Sequence, residues 1–397
     1  MVDIMTHSEA ITNLENEMIP VKQVMEKRGL NVDIYSLEGL IQKVRGEKDS
    51  LTLELKQLFG INDDINFNSS KDVSDILFKS LGIIPKVTRS GRLSTNRRIL
   101  RDINNPITDK IVHYRELEKL LSSLNAIHEA VDKDENKLFC SYVDTCPSGR
   151  LYTKNYSFQG IPEAARSVIY ADPGSSFVLF DYSMFELRIL SALAHDTYFK
   201  NCWVEGLDLH CKVVADMIGI SYASVSDKER KLGKILNFGL AYGQEAGGLA
   251  RNLHISIEQA QKLMDVYKGK IPEIEAFKLE AIDKARLIGY AETYYGRRRF
   301  LPDITSHNVS ERKKSERRVI NHIVQGCASD IMKFSLVKLH NEGFIISTMV
   351  HDSILLTVPD EKLDQSLFRV REIMETEIEG MKFPVSCKVG KRWNECY

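Results

Sequence analysis

The apolar positions change period along the chain. In residues 1–135 they recur every three or four positions, as in LTLELKQLF (51–59) and IVHYRELEKLLSSLNAIHEA (111–130), which predicts mostly helix. From residue 136 short apolar runs take over. KLFCSYVDT (137–145) and SSFVLFD (175–181) read as strands, and FIISTMV (344–350) with SILLTV (353–358) as a hairpin. A long helical block fills residues 184–340, broken near Pro272 and at YYGRRRFLPD (294–303). The pattern predicts an α+β protein in which one sheet gathers segments distant in sequence around a helical insertion.

One polar stretch interrupts the first helical part. GIIPKVTRSGRLSTNRR (82–98) carries four arginines and a lysine among glycines and serines, which suits a loop touching a polyanion or simply a solvated one. No internal repeat or low-complexity segment is present. Across the 397 residues, 43% are hydrophobic and 27% charged, and the net charge is −1, so a nucleic-acid role would rest on local basic clusters. The longest apolar runs fall far short of the roughly 20 residues that span a bilayer, and the polar, acidic N-terminus is no secretory signal. Seven cysteines without CxxC spacing predict a reduced cytoplasmic protein that lacks structural zinc.

Two acids stand at the ends of apolar strands. Asp181 closes SSFVLFD, and Asp352 sits at the tip of the hairpin, between His351 and Ser353. Each alone is compatible with a turn cap. Converging at one sheet edge, they would repel each other unless a cation lay between them. Paired divalent ions are a standard device for phosphoryl and nucleotidyl transfer.

The segment SDKERKLGKILNFGLAYGQ (226–244) weighs against the bland reading. Ser226 and Glu229 have capping-box spacing, so a helix starts here. Arg230, Lys234, Phe238 and Tyr242 then recur every four residues, a slowly drifting stripe about 18 Å long. A core helix has no use for cations in line with its aromatics. A nucleoside triphosphate does: phosphates on Arg230 and Lys234, base against Phe238 and Tyr242. Gly233, Gly239 and Gly243 weaken the helix by about 1 kcal/mol each and allow close approach of another segment.

With these residues in view, the sequence resembles DNA polymerase family A over nearly its whole length. Asp181-Tyr182-Ser183 with Glu186-Leu187-Arg188 resembles motif A. Arg230, Lys234, Asn237-Phe238-Gly239 and Tyr242-Gly243 resemble motif B, and His351-Asp352 resembles motif C. Further matches, in family order, are Ser148-Gly149-Arg150-Leu151, Gln159 with Ile161-Pro162, Asp208 with His210, Gly296-Arg297-Arg298-Arg299, and Arg317 with Asn321 and Gln325.

The resemblance implies an α+β right-hand polymerase fold with an antiparallel palm sheet, helical fingers and a helical thumb. It implies an N-terminal palm-associated segment at 1–33, thumb at 34–135, palm at 136–207 and 311–397, and fingers at 208–310. It implies addition of dNTPs to a primer 3′ end on a DNA template. Asp181, Asp352 and the Tyr182 carbonyl would hold two Mg2+ ions, with Mn2+ as a substitute. His210, Arg230, Lys234, Phe238, Tyr242 and Glu186 would bind the dNTP, with Lys234 a proton donor to the leaving pyrophosphate. Arg150, Gln159, Arg317, Asn321, Gln325 and His351 would contact primer–template DNA.

Glu186 has a second reading, because Ser183 and Glu186 also have capping-box spacing. The basic run ERKKSERR (311–318) reads mostly as a solvated helix face, with Arg317 the residue the motif supports. The sequence departs from the family pattern where motif C has Ser353 in place of the usual Glu, and at Met184 in place of the usual Gln. YTKNYSF (152–158) also replaces a serine-rich stretch. Because the family domain consumes the chain, proofreading is expected from a separate protein, as is any processivity factor. A monomer working at the nucleoid or a replication site in the cytoplasm, with no membrane partner, is the expectation. The alternative is a related polymerase that copies RNA templates or incorporates ribonucleotides.

Overall fold

The computed structural model describes residues 7–61, 65–83, 93–241, 243–253 and 255–397, with the backbone alone at 79, 80 and 241. The chain forms two compact units. One comprises Met1–Arg28, Cys140–Asn155 and Gly174–Val389; the other comprises Gly29–Phe139, Tyr156–Pro173 and Gly390–Tyr397.

The first unit is built on a four-stranded sheet. Its strands are β1 (Ser175–Tyr182), β2 (Ile345–Val350), β3 (Ser353–Pro359) and β4 (Val385–Gly390), in the order β4-β1-β3-β2. β3 runs antiparallel to both neighbours, pairing Ser353 with Asp181 on one side and with Val350 on the other. Residues 176–180 and 353–358 are buried without alternation, because both faces of the central strands are covered. That is why they read as continuous apolar runs. A register shift between Leu355 and Leu356 marks an irregularity in the hairpin.

Helices α1 (Glu9–Arg28), α2 (Phe185–Leu193), α3 (Leu209–Ile218), α4 (Asp227–Ala241), α5 (Pro272–Ile288) and α6 (Val309–Asn341) complete the frame of this unit. Pro272 stands in the first turn of α5, where its missing N–H costs nothing, so the expected break near it is a helix start. The YYGRRRFLPD break is the turn of a small hairpin, Tyr290–Glu292 with Arg298–Phe300. The 33-residue α6 packs against α1, α2 and β2.

The second unit holds the long helices Ile34–Phe59 and Pro106–Ala130, packed on each other. Asp33 and Asn105 cap their N-termini through side-chain hydrogen bonds. A three-stranded sheet, with Leu30–Val32 between Lys137–Leu138 and Ile169–Tyr170, completes it. Most of the basic stretch 82–98 lies outside the described residues. No described helix is long and apolar enough to cross a membrane.

Candidate active site

The two acids do meet at one end of the sheet. Asp181 is the penultimate residue of β1. Asp352 occupies the two-residue turn between β2 and β3, and its carbonyl accepts from Tyr182 N at 3.2 Å. His351, the other turn residue, has φ +54°, a left-handed conformation that costs a non-glycine residue of order 1 kcal/mol or more. Two bonds brace the turn: the Tyr182 N–H, and the Ser353 hydroxyl donating to Val350 O at 2.8 Å.

Tyr182 is anchored on its far side. Its ring stacks on Phe185 with centroids 4.1 Å apart, and its hydroxyl donates to Met374 O at 2.6 Å and meets Ser335 Oγ at 3.0 Å. The strand end carrying Asp181 is thereby fixed to α6 and to the segment before β4.

Charge in this corner is crowded. Burial pushes the Asp352 pKa up to about 6, with Glu186 and Asp181 adding to the rise and Arg150 opposing it. Burial raises Asp181 as well. Glu186 pairs with Arg150, so the spacing of Ser183 and Glu186 is not a capping box. Met184 is the N-cap of α2, in a left-handed conformation with φ +54° and no side-chain cap bond. Ser183 N donates instead to Pro384 O at 3.1 Å. A tertiary contact takes the place of the local cap, and Glu186 pairs with Arg150.

The α4 capping box is present. Ser226 N donates to Glu229 Oε2 at 2.7 Å, and Glu229 N to Ser226 Oγ at 3.4 Å. Arg230, Lys234 and Phe238 form an exposed face, while Gly233, Leu236, Asn237 and Leu240 are buried. Tyr242 lies outside the described residues. The close approach that glycine permits is to α3, since a Cβ at Gly233 would collide with the His210 carbonyl oxygen.

Arg230 is held by Asp208, the N-cap of α3, through bonds of 3.0 and 2.8 Å. His210 is buried, and its Nδ1 lies 2.9 Å from Asn237 Nδ2. Burial lowers its pKa to about 4, so the ring is neutral and the positive charge on this face comes from Arg230 and Lys234.

A polar stripe leads along α6. From Val319 to Lys333 every residue is buried except Asn321 and Gln325. With Arg317, which bonds Glu245 at 3.3 Å, they share one helix face at four-residue spacing. Ser329 and Met332 continue that face into a small cavity of about 20 Å3, lined also by Arg150, Lys333, His351 and Asp352. Gln159 belongs to the second unit, in the turn Phe158–Gly160. Asp208 and Asn237 gain their roles as partners of Arg230 and His210 only in the structure, because each partner lies some 20 or more residues away.

The carboxylate corner, the cationic helix face and the polar stripe coincide with the motifs read from the sequence. The model of DNA polymerase family A matches residues 35–395. This chain belongs to DNA polymerase family A. It is 32% identical over 399 residues to the thermostable DNA polymerase I of Thermus filiformis, covering 96% of this chain and 48% of that protein. Against DNA polymerase I of Deinococcus radiodurans it is 30% identical over 393 residues, covering 95% of this chain and 41% of that one. The chain thus spans about half the length of the curated relatives it matches. Among solved structures, the POL domain of Pol1 from M. smegmatis, in complex with DNA primer-template and dNTP, superposes with a TM-score of 0.87. That match has 26% identity and covers 96% of this chain and 70% of that one. The fold class is accordingly the α+β right-hand polymerase fold of family A.

Among the described residues no group of three or more His, Cys, Asp and Glu is placed to hold a metal ion. Family A polymerases use divalent ions, and the donor set here suits one. Two carboxylates are raised in pKa by burial, and at Asp352 also by acidic neighbours, an imbalance that a hard cation with oxygen ligands relieves.

Proposed function

We propose that this chain is a DNA-templated DNA polymerase that adds dNTPs to a primer 3′ end. The observation that carries the reading is the gathering of Arg150, Asp181, Glu186 and Asp352, from three separate stretches, at one end of an apolar sheet. The same unit presents Arg230, Lys234 and Phe238 on an exposed helix face. The likeness to a polymerase domain complexed with DNA primer-template and dNTP supports it.

Asp181, Asp352 and the Tyr182 carbonyl would hold two Mg2+ ions, or Mn2+ in their place. Bound there, such ions would lower the pKa of the primer 3′ hydroxyl and offset charge on the triphosphate. Arg230 and Lys234 clamp the phosphates, with the triphosphate taking over the role of Asp208 as partner of Arg230. Lys234 Nζ holds a proton for the leaving pyrophosphate. Phe238 and Tyr242 face the base and sugar, and Glu186 packs beneath the sugar. Arg317, Asn321, Gln325, Arg150 and His351 line the primer–template minor groove. There every correct pair offers similar acceptors, so shape is checked without reading sequence. Gln159 contacts the same duplex.

In this reading, residues 34–135 act as thumb, 208–310 as fingers, and 136–207 with 311–397 as palm, joined by 1–33. The chain works as a monomer in the cytoplasm.

Extension of a labelled DNA primer on a DNA template with dNTPs and Mg2+ tests the proposal, with RNA-template and rNTP reactions alongside. Extension with DNA and dNTPs is expected. No extension under any condition overturns the reading. Preference for RNA templates or rNTPs replaces it with the alternative.

A further inference from the structure

Four charged side chains form one buried network beside the candidate site. Glu15 of α1 accepts from Lys333 Nζ at 2.6 and 2.8 Å and from Arg297 at 2.5 Å. Arg297 Nε donates to one Asp330 oxygen at 2.7 Å, and Thr293 Oγ1 donates to the other at 2.8 Å. Arg297, Asp330 and Lys333 are buried at 3%, 0% and 1% exposure. Two cations offset two anions, so loss of any one member leaves the network with a net charge. The network ties three elements together: α1, the Tyr290–Phe300 hairpin and α6.

It touches the site at two places. Gly149, with φ +74°, packs so closely on Arg297 that a Cβ there would run into the guanidinium group. The side chain of Arg297 therefore sets the path of the backbone into Arg150. Lys333 lines the small cavity shared by Arg150, His351 and Asp352. Arg150 in turn pairs with Glu186.

We propose that Glu15, Arg297, Asp330 and Lys333 are positioning residues that hold the Gly149–Arg150 backbone and, through Arg150, fix the place of Glu186. Their charged groups are spent on one another, so they act on geometry and not on the reacting atoms. The N-terminal helix α1 is thereby part of the site's support. This inference rests on the polymerase reading and on the role of Glu186 beneath the sugar.

Two variants test it in primer extension. Glu15→Gln keeps the side-chain shape and removes one charge. Gly149→Ala keeps all four charges and pushes the backbone off Arg297. Each is expected to lower kcat about tenfold, with the dNTP KM within about threefold of wild type. Each is also expected to lower discrimination against rNTPs by about threefold or more. The ratio is decisive, because partial misfolding lowers both rates equally and leaves their ratio unchanged. Wild-type protein that fails to extend the primer overturns the polymerase reading itself. Active wild type with variants matching it in kcat and in the ratio within about twofold overturns the network inference alone. A variant that loses kcat at an unchanged ratio, or loses its cooperative thermal transition, also overturns it, since the network then serves stability only.

Discussion

Ser353 stands directly across from Asp181 in the antiparallel register of β1 and β3. Directly paired residues share a sheet face, so Ser353 lies on the side of Asp181, although it alternates away from Asp352 along its own strand. Its hydroxyl is spent on the Val350 carbonyl at 2.8 Å, and the residue is 2% exposed. It staples the turn and brings no charge. Ser353→Ala should therefore keep at least a tenth of wild-type extension, a loss of about 1.4 kcal/mol or less. Ser353→Glu places a third carboxylate on the face of Asp181; it should be tolerated and shift the preference between Mg2+ and Mn2+. Titrating both ions in extension assays checks this. Ser353→Ala as inactive as Asp352→Asn would make the serine a direct participant.

Asp181→Asn and Asp352→Asn should each abolish extension and leave primer–template affinity nearly intact. Each swap keeps the shape and removes a charge from a corner where charge already repels charge. Gel-shift affinity and single-turnover extension separate the two effects. Extension within about tenfold of wild type in either variant sinks the two-metal assignment.

How much of this was legible in the sequence depended on how local each cause was. The runs 175–181 and 353–358 were legible because strands covered on both faces need no alternation. The box at Ser226 and Glu229 was legible because its two bonds span three residues. The same spacing at Ser183 and Glu186 misled. Ser183 N is taken by Pro384 O, some two hundred residues away, and Met184 adopts the left-handed cap. β4 escaped notice because VSCKVG is short and half polar, with a burial pattern to match. The Glu15 network was hidden because its partners lie about three hundred residues apart, and a lone glutamate on an amphipathic helix looks solvated.

Glu186→Ala should raise ribonucleotide incorporation, and Glu186→Gln should do so less. Alanine opens space beneath the sugar, whereas glutamine fills the space but breaks the ion pair with Arg150. Met184 caps α2 without a side-chain bond, so neither swap removes a capping box. Competition between rNTPs and dNTPs on one primer measures the ratio. An unchanged ratio in Glu186→Ala removes the residue from sugar selection.

Two glycine-to-alanine swaps on helices should have opposite signs. Gly39, in the helix Ile34–Phe59, has nothing within 4 Å of an added Cβ, so Gly39→Ala should stabilise by about 1 kcal/mol through helix propensity. At Gly233 the same gain meets the His210 carbonyl, a backbone atom that cannot swing aside. Overpacking costs about 1–3 kcal/mol, so Gly233→Ala should be net destabilising. It should also weaken dNTP binding by shifting α4 against α3. Denaturant unfolding of both variants is the check, and stabilisation by Gly233→Ala would show that the two helices are not in the contact described.

His322 gives a prediction in pH. Its Nε2 lies 3.0 Å from the Arg297 carbonyl, which fixes Nε2–H as the donor, and the ring is 1% exposed. Burial lowers its pKa to about 4, with the charges of Arg299, Arg297 and His7 adding to the fall. In the unfolded chain the ring titrates near 6.5. Between those values the unfolded state binds the proton and the native state does not. The contribution of His322 is therefore full above pH 6.5 and is lost as pH falls toward 4, on the order of 3 kcal/mol in all. Asp196, Asp330 and Asp352, each raised to about 6, act the other way over the same window, because there the native state takes the proton first. A single stability profile mixes the two signs, so the comparison must be with a variant. His322→Gln keeps a donor for the Arg297 carbonyl and removes the titration. The stability of wild type relative to His322→Gln should fall by about 2–3 kcal/mol between pH 7 and pH 4. A difference that stays flat across that range would mean that His322 does not titrate as a buried neutral ring, and that the packing of α6 on the hairpin is looser than described.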